Sequence, residues 1–362
     1  MPASSPIRFG LVGYGAWGQF HARSIEQAKN AELVAIAVPS EGSRQAAKND
    51  FPNANIFDNH ESLVERAEID IVDIVTPTAN HYGVARASLE AGKHLLLEKP
   101  MAPRLEECVE LEEFARSHGK SIAVGHELRL SSQWGEIKSI IDQGIIGDPQ
   151  YVLVELSRRP YRPGSNGWRF DRERVGSWIL EEPIHFFDLA RWYLSSAGEP
   201  ERVYASANSR DANRSDLHDN FSCLMNFKDG AYAVVSQTLA AFEHHQTVKI
   251  SGTKGAVWAG WSGSKDRTEH PTHFLKVFDG SEVDERELAQ SSGEVFELRR
   301  QIEHVAQCLI DGKAPHASGM DGIWSVGMCL AAEESVSRGQ PVDVTEFMRP
   351  HLASLKHPPT FA

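Results

Sequence analysis

Long apolar runs are missing from this chain. No stretch reaches the roughly 18 uncharged apolar residues of a membrane-spanning helix, which argues against a membrane protein. Cysteine is scarce: Cys108, Cys223, Cys308 and Cys329 are scattered without a Cys-x-x-Cys pair. Neither a disulfide framework nor a zinc site is expected, and the four read as small buried residues of a reducing, cytoplasmic protein. His244-His245 and His270-Pro271-Thr272-His273 assemble no metal site with nearby Cys or carboxylates, so no metal is expected. Excess positive charge is missing too. A formal net charge of −13 argues against a nucleic-acid partner, which calls for clustered Lys and Arg. Met1-Pro2-Ala3-Ser4-Ser5-Pro6 lacks the basic-then-apolar order of a secretory signal and reads as a short frayed tail.

What is present suffices for two cores. A chain of 362 residues, 41% of them hydrophobic, suits two domains. The first third alternates strand and helix signals. Apolar or β-branched runs lie at Ala31–Val38, Ile69–Thr76, His94–Leu97 and Ser121–Gly125, with helix-period segments at Asn80–Ala91 and Leu105–His118. This alternation predicts a parallel sheet covered by helices. Past residue 126 the character changes. Extended runs at Tyr151–Leu156, Arg202–Ala207, Phe221–Phe227, Ala231–Thr238, Gln246–Ser251 and Phe274–Phe278 follow one another with few helices between them. Helical patterns occupy Gln133–Gln143, Pro183–Ser195, Glu294–Ile310 and Asp321–Arg338. The expected fold is therefore an α/β Rossmann domain over residues 1–126. An α+β domain over 127–362, with a large mixed, mainly antiparallel sheet, is expected to follow.

The most informative segment is Ile7–Gly18, an apolar strand running into Gly13-Tyr14-Gly15-Ala16-Trp17-Gly18. Gly13 permits the tight turn, Gly15 lets backbone approach a pyrophosphate, and Gly18 allows helix and strand to pack closely. The unpaired N–H groups and dipole of the next helix then favour the phosphates. A dinucleotide site is expected there. Two further constellations carry chemistry. Glu98-Lys99-Pro100 closes a Leu-rich strand at the edge where open α/β sheets bind ligands; it either aims an ammonium at the crevice or is a plain surface lysine at a strand end. Glu181-Glu182-Pro183-Ile184-His185-Phe186-Phe187-Asp188 starts a helix with proline in its first position, His185 in its first turn and Asp188 three residues on. An imidazole beside a carboxylate suits a general base; a satisfied core histidine is the competing reading.

Gly13–Gly18, Thr76-Pro77-x-x-x-His81, Glu98-Lys99-Pro100, His185-x-x-Asp188 and the stretches Val248–Ala256 and Ser318–Gly322 occur in order over nearly the whole chain. Together they resemble the Gfo/Idh/MocA family, the glucose–fructose oxidoreductase and inositol dehydrogenase group. The resemblance implies NAD(P)-dependent oxidation or reduction of a sugar, cyclitol or related hydroxyl compound, and a homodimer or homotetramer built on the large sheet. It implies that Lys99 contacts nicotinamide ribose and substrate, that His185 is the catalytic histidine and that Asp188 is the acidic residue after it. Thr76, Pro77, His81, Glu98 and Pro100 fall on the cofactor side. His126, Arg158, Trp168 and Arg169 join Lys99 and His185 as candidate substrate contacts.

Two positions depart from the family pattern. Asp-x-Gly-x-His is replaced by Glu181 and Pro183 ahead of His185, so reach and helix entry differ. At the end of the second strand Val38 stands where an acidic residue would hold the ribose 2′-hydroxyl of NAD. Ser40, Ser43 and Arg44 are placed to receive a 2′-phosphate, and Glu41 opposes it. The balance favours NADP slightly over NAD. Arg158, Arg159, Arg162, Arg169, Arg172 and Arg174 crowd the loop before the catalytic helix. They either bind an anionic substrate group or are solvated and paired with Glu155, Asp171 and Glu173. The expected chemistry is hydride transfer with His185 as base, Lys99 polarising the oxygen, and Glu181 or Asp188 setting the imidazole tautomer. The competing readings are redox-neutral elimination through a retained NAD, and a non-catalytic nucleotide sensor.

Overall fold

The computed structural model describes residues 5–355, so the first four residues of the expected tail lie outside it. It divides into two compact units. Of the described residues, the first comprises residues 5–127 and Leu298–Ile323, the second Leu128–Glu297 and residues 324–355.

In the first unit, strands β1 (Ile7–Val12), β2 (Ala31–Ala37), β3 (Asn55–Phe57), β4 (Ile71–Ile74), β5 (His94–Leu97) and β6 (Ile122–Val124) alternate with helices α1 (Ala16–Gln27), α2 (Glu41–Asp50), α3 (His60–Arg66), α4 (His81–Glu90) and α5 (Leu105–Ser117). The strands form one parallel sheet in the order β3-β2-β1-β4-β5-β6. The order reverses beside β1, so the crevice at the carboxyl ends of β1 and β4 is the ligand-binding edge expected of such a sheet. β4 and β5 are almost wholly buried, as parallel strands covered on both faces must be.

The opening segment of the first unit runs to Glu127, and a later segment, Leu298–Ile323, joins it. Ile302, Val305 and Ala306 fill a core cluster with Phe9, Ile25, Ala28, Ile71, Leu96 and Ala123. The backbone at Ala317 and Ser318 also meets the edge of β6, Val124 N–H donating to the Ala317 carbonyl at 2.9 Å. An apolar helix face and an unpaired strand edge both need a cover, and this later stretch supplies it.

The second unit carries β7 (Pro149–Arg158), β8 (Arg202–Asn208), β9 (Asn220–Asn226), β10 (Tyr232–Thr238), β11 (His244–Gly252), β12 (Ala256–Gly263), β13 (Thr272–Phe278), β14 (Val283–Glu285) and β15 (Val342–Asp343). Its helices are α6 (Trp134–Asp142), the short α7 (Arg172–Val175) and α8 (Trp178–Glu181), and α9 (Pro183–Tyr193). Further on come α10 (Glu294–Asp311) and α11 (Gly319–Arg338), each of which runs across a unit boundary, and α12 (Val344–Leu352). Among the described residues the nine strands make one sheet, ordered β14-β13-β12-β11-β7-β10-β9-β8-β15. Only β7 and β10 pair in parallel. The sheet alternates sharply. Val152, Val154, Ala233 and Val235 are buried beneath α9, while Tyr204, Leu224, Tyr232, Trp258, Phe274 and Phe278 stand exposed. All four cysteines are free and buried.

The glycine turn makes a direct stability test. A Cβ on Gly18 would sit 2.1 Å from the Gly13 carbonyl oxygen, whereas one on Gly15 would meet nothing within 4 Å. Gly18→Ala is expected to lower unfolding stability by about 1–3 kcal/mol, and Gly15→Ala by less than about 0.5 kcal/mol. Urea unfolding of the two variants measures this directly.

Candidate functional site

In the first unit β1 ends at Val12, and the chain turns through Gly13 at φ +103°, a conformation side chains resist. Gly13 lies so close to β4 that a Cβ would be 2.4 Å from the Val75 carbonyl oxygen. Gly15 and Ala16 are exposed at the start of α1, where the first-turn N–H groups have no helical acceptor. Close backbone approach, open space over Gly15 and outward N–H groups are what a pyrophosphate requires. Beside them the Thr76 hydroxyl is shielded from solvent and finds no hydrogen-bond partner. These features fit a dinucleotide. Tyr14, expected at the cofactor, points elsewhere. Its ring is buried with Ala22, Ile36, Val38, Ala47 and Phe51, and its hydroxyl donates to Asp50 at 2.6 Å. Burial, then the Asp50 carboxylate, raise its pKa, so Tyr14 anchors α2 and leaves only backbone to the loop.

At the end of β2, Ser40 caps α2 by accepting from Ser43 N–H at 3.1 Å, and its hydroxyl donates to that of Ser43 at 2.8 Å. Arg44 folds back so that its guanidinium donates to the carbonyls of Val38 and Pro39. The three candidate 2′-phosphate contacts thus gather at one helix start, with Arg44 already tethered.

At the end of β5, Glu98 is buried while Lys99 is half-buried. One Glu98 carboxylate oxygen accepts from the Trp17 indole at 3.2 Å, and the other accepts from Lys99 N–H at 3.3 Å. The first oxygen also faces His21 Nε2 at 3.2 Å, and His21 Nδ1 lies 2.8 Å from Asp73. Sequence reasoning missed His21 and Asp73, although a carboxylate inside a β-branched parallel strand is a readable warning. Burial alone would depress the imidazole; Asp73 and then Glu98 outweigh it and hold its pKa at about 10. Burial raises Asp73; at Glu98 burial is outweighed by the His21 charge, then by Lys99 and the Trp17 indole, and the pKa falls. His81 also differs from expectation. It is 1% exposed, and its two ring nitrogens lie 2.7 Å from the Pro100 carbonyl and 2.9 Å from that of Thr76. Burial lowers its pKa, and its place is that of a brace between the ends of β4 and β5. His126, just past β6, is buried.

In the second unit His185 sits in the first turn of α9, behind Pro183 in its first position. The helix is buried on almost every side, with Ile184, Phe186, Phe187, Leu189 and Ala190 packed around its axis. Asp188 accepts two hydrogen bonds from Arg129, at 2.7 and 2.6 Å. Glu181 binds Arg169, while Glu182 binds Arg158, which also reaches Asp266 at 3.3 Å. The arginine partners expected from the loop itself are therefore replaced by acids on other elements; Arg172 likewise pairs with Glu333 at 2.9 Å. The Arg169 guanidinium lies over the Trp168 ring, 4.7 Å from its centroid. Arg129, Glu182 and Asp266 could not be singled out from sequence, because each acts through a partner distant in the chain. Among the described residues no three His, Cys, Asp or Glu side chains are grouped to hold a metal, and no helix is long and apolar enough to cross a membrane.

Comparison with known proteins gives the following. A family profile described as "Oxidoreductase family, NAD-binding Rossmann fold" matches residues 7–126, and one described as "GFO/IDH/MocA C-terminal domain" matches residues 134–258. The chain is similar to the 1,5-anhydro-D-fructose reductase of Ensifer adhaerens, 26% identical over 93% of this chain and 98% of that protein. It is similar to the scyllo-inositol 2-dehydrogenase (NAD(+)) of Bacillus subtilis (strain 168), 26% identical over 93% and 96% of the two chains. A solved structure of the aldose-aldose oxidoreductase of Caulobacter crescentus shares the fold. It has a TM-score of 0.81 at 19% identity, covering 93% of this chain and 99% of that one.

The buried imidazole has a pH signature. Its folded pKa of about 10 exceeds the ordinary 6.5. The stability it contributes is therefore fully present below about pH 6.5 and is lost as pH rises towards 10. Asp73→Asn removes the main source of that shift. The stability gap between wild type and Asp73→Asn, measured by urea unfolding, is expected to narrow steadily between pH 7 and pH 10; a constant gap would contradict the assignment.

Proposed function

The chain belongs to the Gfo/Idh/MocA family of oxidoreductases, and on that premise we propose that it is an NAD(P)-dependent dehydrogenase acting on a hydroxyl of a neutral sugar or cyclitol. The observation that carries the reading is the glycine turn, where Gly13 presses on Val75, Gly15 lies open and the first N–H groups of α1 face outward. The named activities of the inositol dehydrogenase and anhydrofructose reductase relatives support the substrate class.

The nicotinamide, when bound, accepts or supplies the hydride. The protein's own groups handle binding and one proton. His185, in the first turn of a rigid helix, takes the hydroxyl proton as general base. Lys99 is assigned to polarise a hydroxyl oxygen and to stabilise its developing negative charge. Asp188 is fixed by Arg129 and Glu181 by Arg169, so both carboxylates near His185 in sequence are held by guanidinium groups. Arg158 and Arg169 are each matched by a glutamate. They therefore contribute no net positive charge, which favours a neutral polyol over a uronate or sugar phosphate. The exposed aromatic face of the large sheet supports assembly into a homodimer or homotetramer.

For the cofactor, Val38 in the acidic position and the gathering of Ser40, Ser43 and Arg44 favour NADP slightly, with NAD as a working partner. Loss of one charged hydrogen-bond donor costs about 1.5–3 kcal/mol. Arg44→Ala is thus expected to weaken NADP+ binding roughly 10- to 100-fold and NAD+ binding far less, as read by calorimetry. Equal effects on both would remove the 2′-phosphate role.

The decisive assay follows nicotinamide absorbance with scyllo-inositol, myo-inositol, D-glucose, a uronate and a sugar phosphate, each with NAD+ and NADP+. Turnover of a neutral polyol is expected. His185→Ala should lower kcat by about 10²- to 10⁴-fold with NAD(P) affinity preserved, and near-normal turnover would exclude His185 as the base. Silence across the panel, with dinucleotide already bound to the purified protein, would favour redox-neutral elimination.

A further inference from the structure

One group of charges in the first unit is used by none of the steps above. His21 and Asp73 are both 0% exposed and Glu98 is 6% exposed. The ring of His21 faces carboxylates through both nitrogens, Asp73 at 2.8 Å and Glu98 at 3.2 Å. A neutral imidazole has one donor and one lone pair, and the lone pair would then point at a carboxylate. An imidazolium relieves that repulsion: it is hydrogen-bonded to Asp73 through Nδ1 and meets Glu98 as a charge contact, without hydrogen-bond geometry, through Nε2. Three buried ions are expensive compared with an apolar filling of the same space, so their retention calls for a reason.

The contacts of Glu98 supply one. Its carboxylate accepts from the Trp17 indole and from the backbone N–H of Lys99, and it faces the His21 ring at 3.2 Å as a charge contact. Gly125 makes room for it, since a Cβ there would sit 2.9 Å from a Glu98 oxygen. Trp17 belongs to the glycine turn and stacks edge-on against His21, with ring centroids 5.3 Å apart. The same carboxylate thus holds the first turn of α1 and the backbone from which Lys99 projects. Asp73, in the middle strand β4, fixes the imidazolium from the opposite side.

We propose that His21 is a positioning residue: anchored by Asp73, it holds the Glu98 carboxylate that sets Lys99 in register with the dinucleotide loop. The inference rests on the reading of Lys99 and of the glycine loop given above. Two neighbours of the cluster also titrate or carry charge, Lys99 and His81, and both act on or feel Glu98. The three-ion cluster carries a net charge of −1, from one cation and two carboxylates. H21Q leaves two uncompensated carboxylates, whereas the double variant H21Q/D73N restores the original charge and keeps an amide donor for Glu98.

The test compares wild type, H21Q, D73N, H21Q/D73N, K99A and H21Q/K99A. Binding of NAD+ and NADP+ is read by calorimetry, and kcat and KM with whichever of scyllo-inositol, myo-inositol or D-glucose is turned over fastest. Displacement of a reacting group by about 1 Å costs on the order of 10²-fold. H21Q is therefore expected to lower kcat by about 10- to 100-fold, with cofactor affinity and KM changed by less than about threefold. The loss should shrink at lower pH, where a proton replaces the missing cation, and H21Q/D73N should recover most of the rate at pH 8. Because His21 acts through Lys99, H21Q should add little in the K99A background. Unchanged kcat in a folded H21Q protein would overturn the proposal. So would an equal fold-loss with and without Lys99, the pattern of a merely structural brace. Should H21Q fail to fold, D73N and D73N/K99A form the same cycle, and unchanged kcat or an equal fold-loss there overturns the proposal in the same way. A wild type that binds dinucleotide and oxidises a polyol while H21Q matches it sinks only this inference. A wild type that binds no dinucleotide sinks the functional reading and this inference together.

Discussion

Close contact between backbones at the carboxyl edge of the parallel sheet governs the first unit. Gly13 leaves no room for a Cβ against Val75, and Gly18 leaves none against Gly13. With side chains absent from both positions, α1 lies tight on the sheet. One turn beyond Gly18, His21 is carried onto β4, where Asp73 awaits it, and towards Glu98 beyond β5. A steric requirement in the turn thereby becomes an electrostatic one in the core. The helix whose first turn fits a pyrophosphate is the same helix that grips Glu98, so cofactor loop and Lys99 share one rigid support. Such rigidity matters because a reacting group is useful only when its position is fixed before the reaction starts.

The second unit settles its charges differently. Helix α9 is buried on nearly all sides, which fixes His185 by packing, and the polar groups around it are paired. Arg129 takes Asp188, Arg169 takes Glu181, and Arg158 takes Glu182 and Asp266. Glu294, close to Arg267, is pushed up to about 7, by burial first and with Arg267 pulling the other way. An arginine-rich loop in an acidic chain suggests an anion site when read alone. Arg158, Arg169 and Arg172 are instead matched by acids on other elements.

Much of this architecture was legible in the chain. Strand–helix alternation and the glycine turn announced the parallel sheet, and closely spaced extended runs announced the mixed one. The strand Ala256–Gly263 escaped notice because its glycines weaken the strand signal. In the structure Gly260 is required, since a Cβ there would lie 2.5 Å from the Phe274 ring. Helix α10 was visible, but its membership was not, because the cluster that claims Ile302 and Val305 draws on strands hundreds of residues earlier. At the site, residue type was readable and side-chain direction was not. Tyr14 and His81 sit in the right motifs yet point into the protein, one bracing α2 and the other two strand ends. The His21–Asp73 and Arg129–Asp188 pairs span 52 and 59 residues of sequence. No local rule detects partners so far apart, although a lone carboxylate in a buried strand shows that one must exist.

The departure from the family pattern ahead of His185 has a structural meaning. Glu181 ends the short helix α8, and Glu182 follows with non-helical angles, φ −133° and ψ −41°, before Pro183 opens α9. Proline suits that first position because its missing N–H is not needed there, and it confines the entry to one backbone angle. The break separates two consecutive glutamates, so that one meets Arg169 and the other Arg158. An aspartate with a following glycine would be shorter and looser at the same place. Here the longer side chain is balanced by a guanidinium and the helix entry is rigid. Helix α9 is thus delivered by a stiff corner in which both glutamates are paired with arginines.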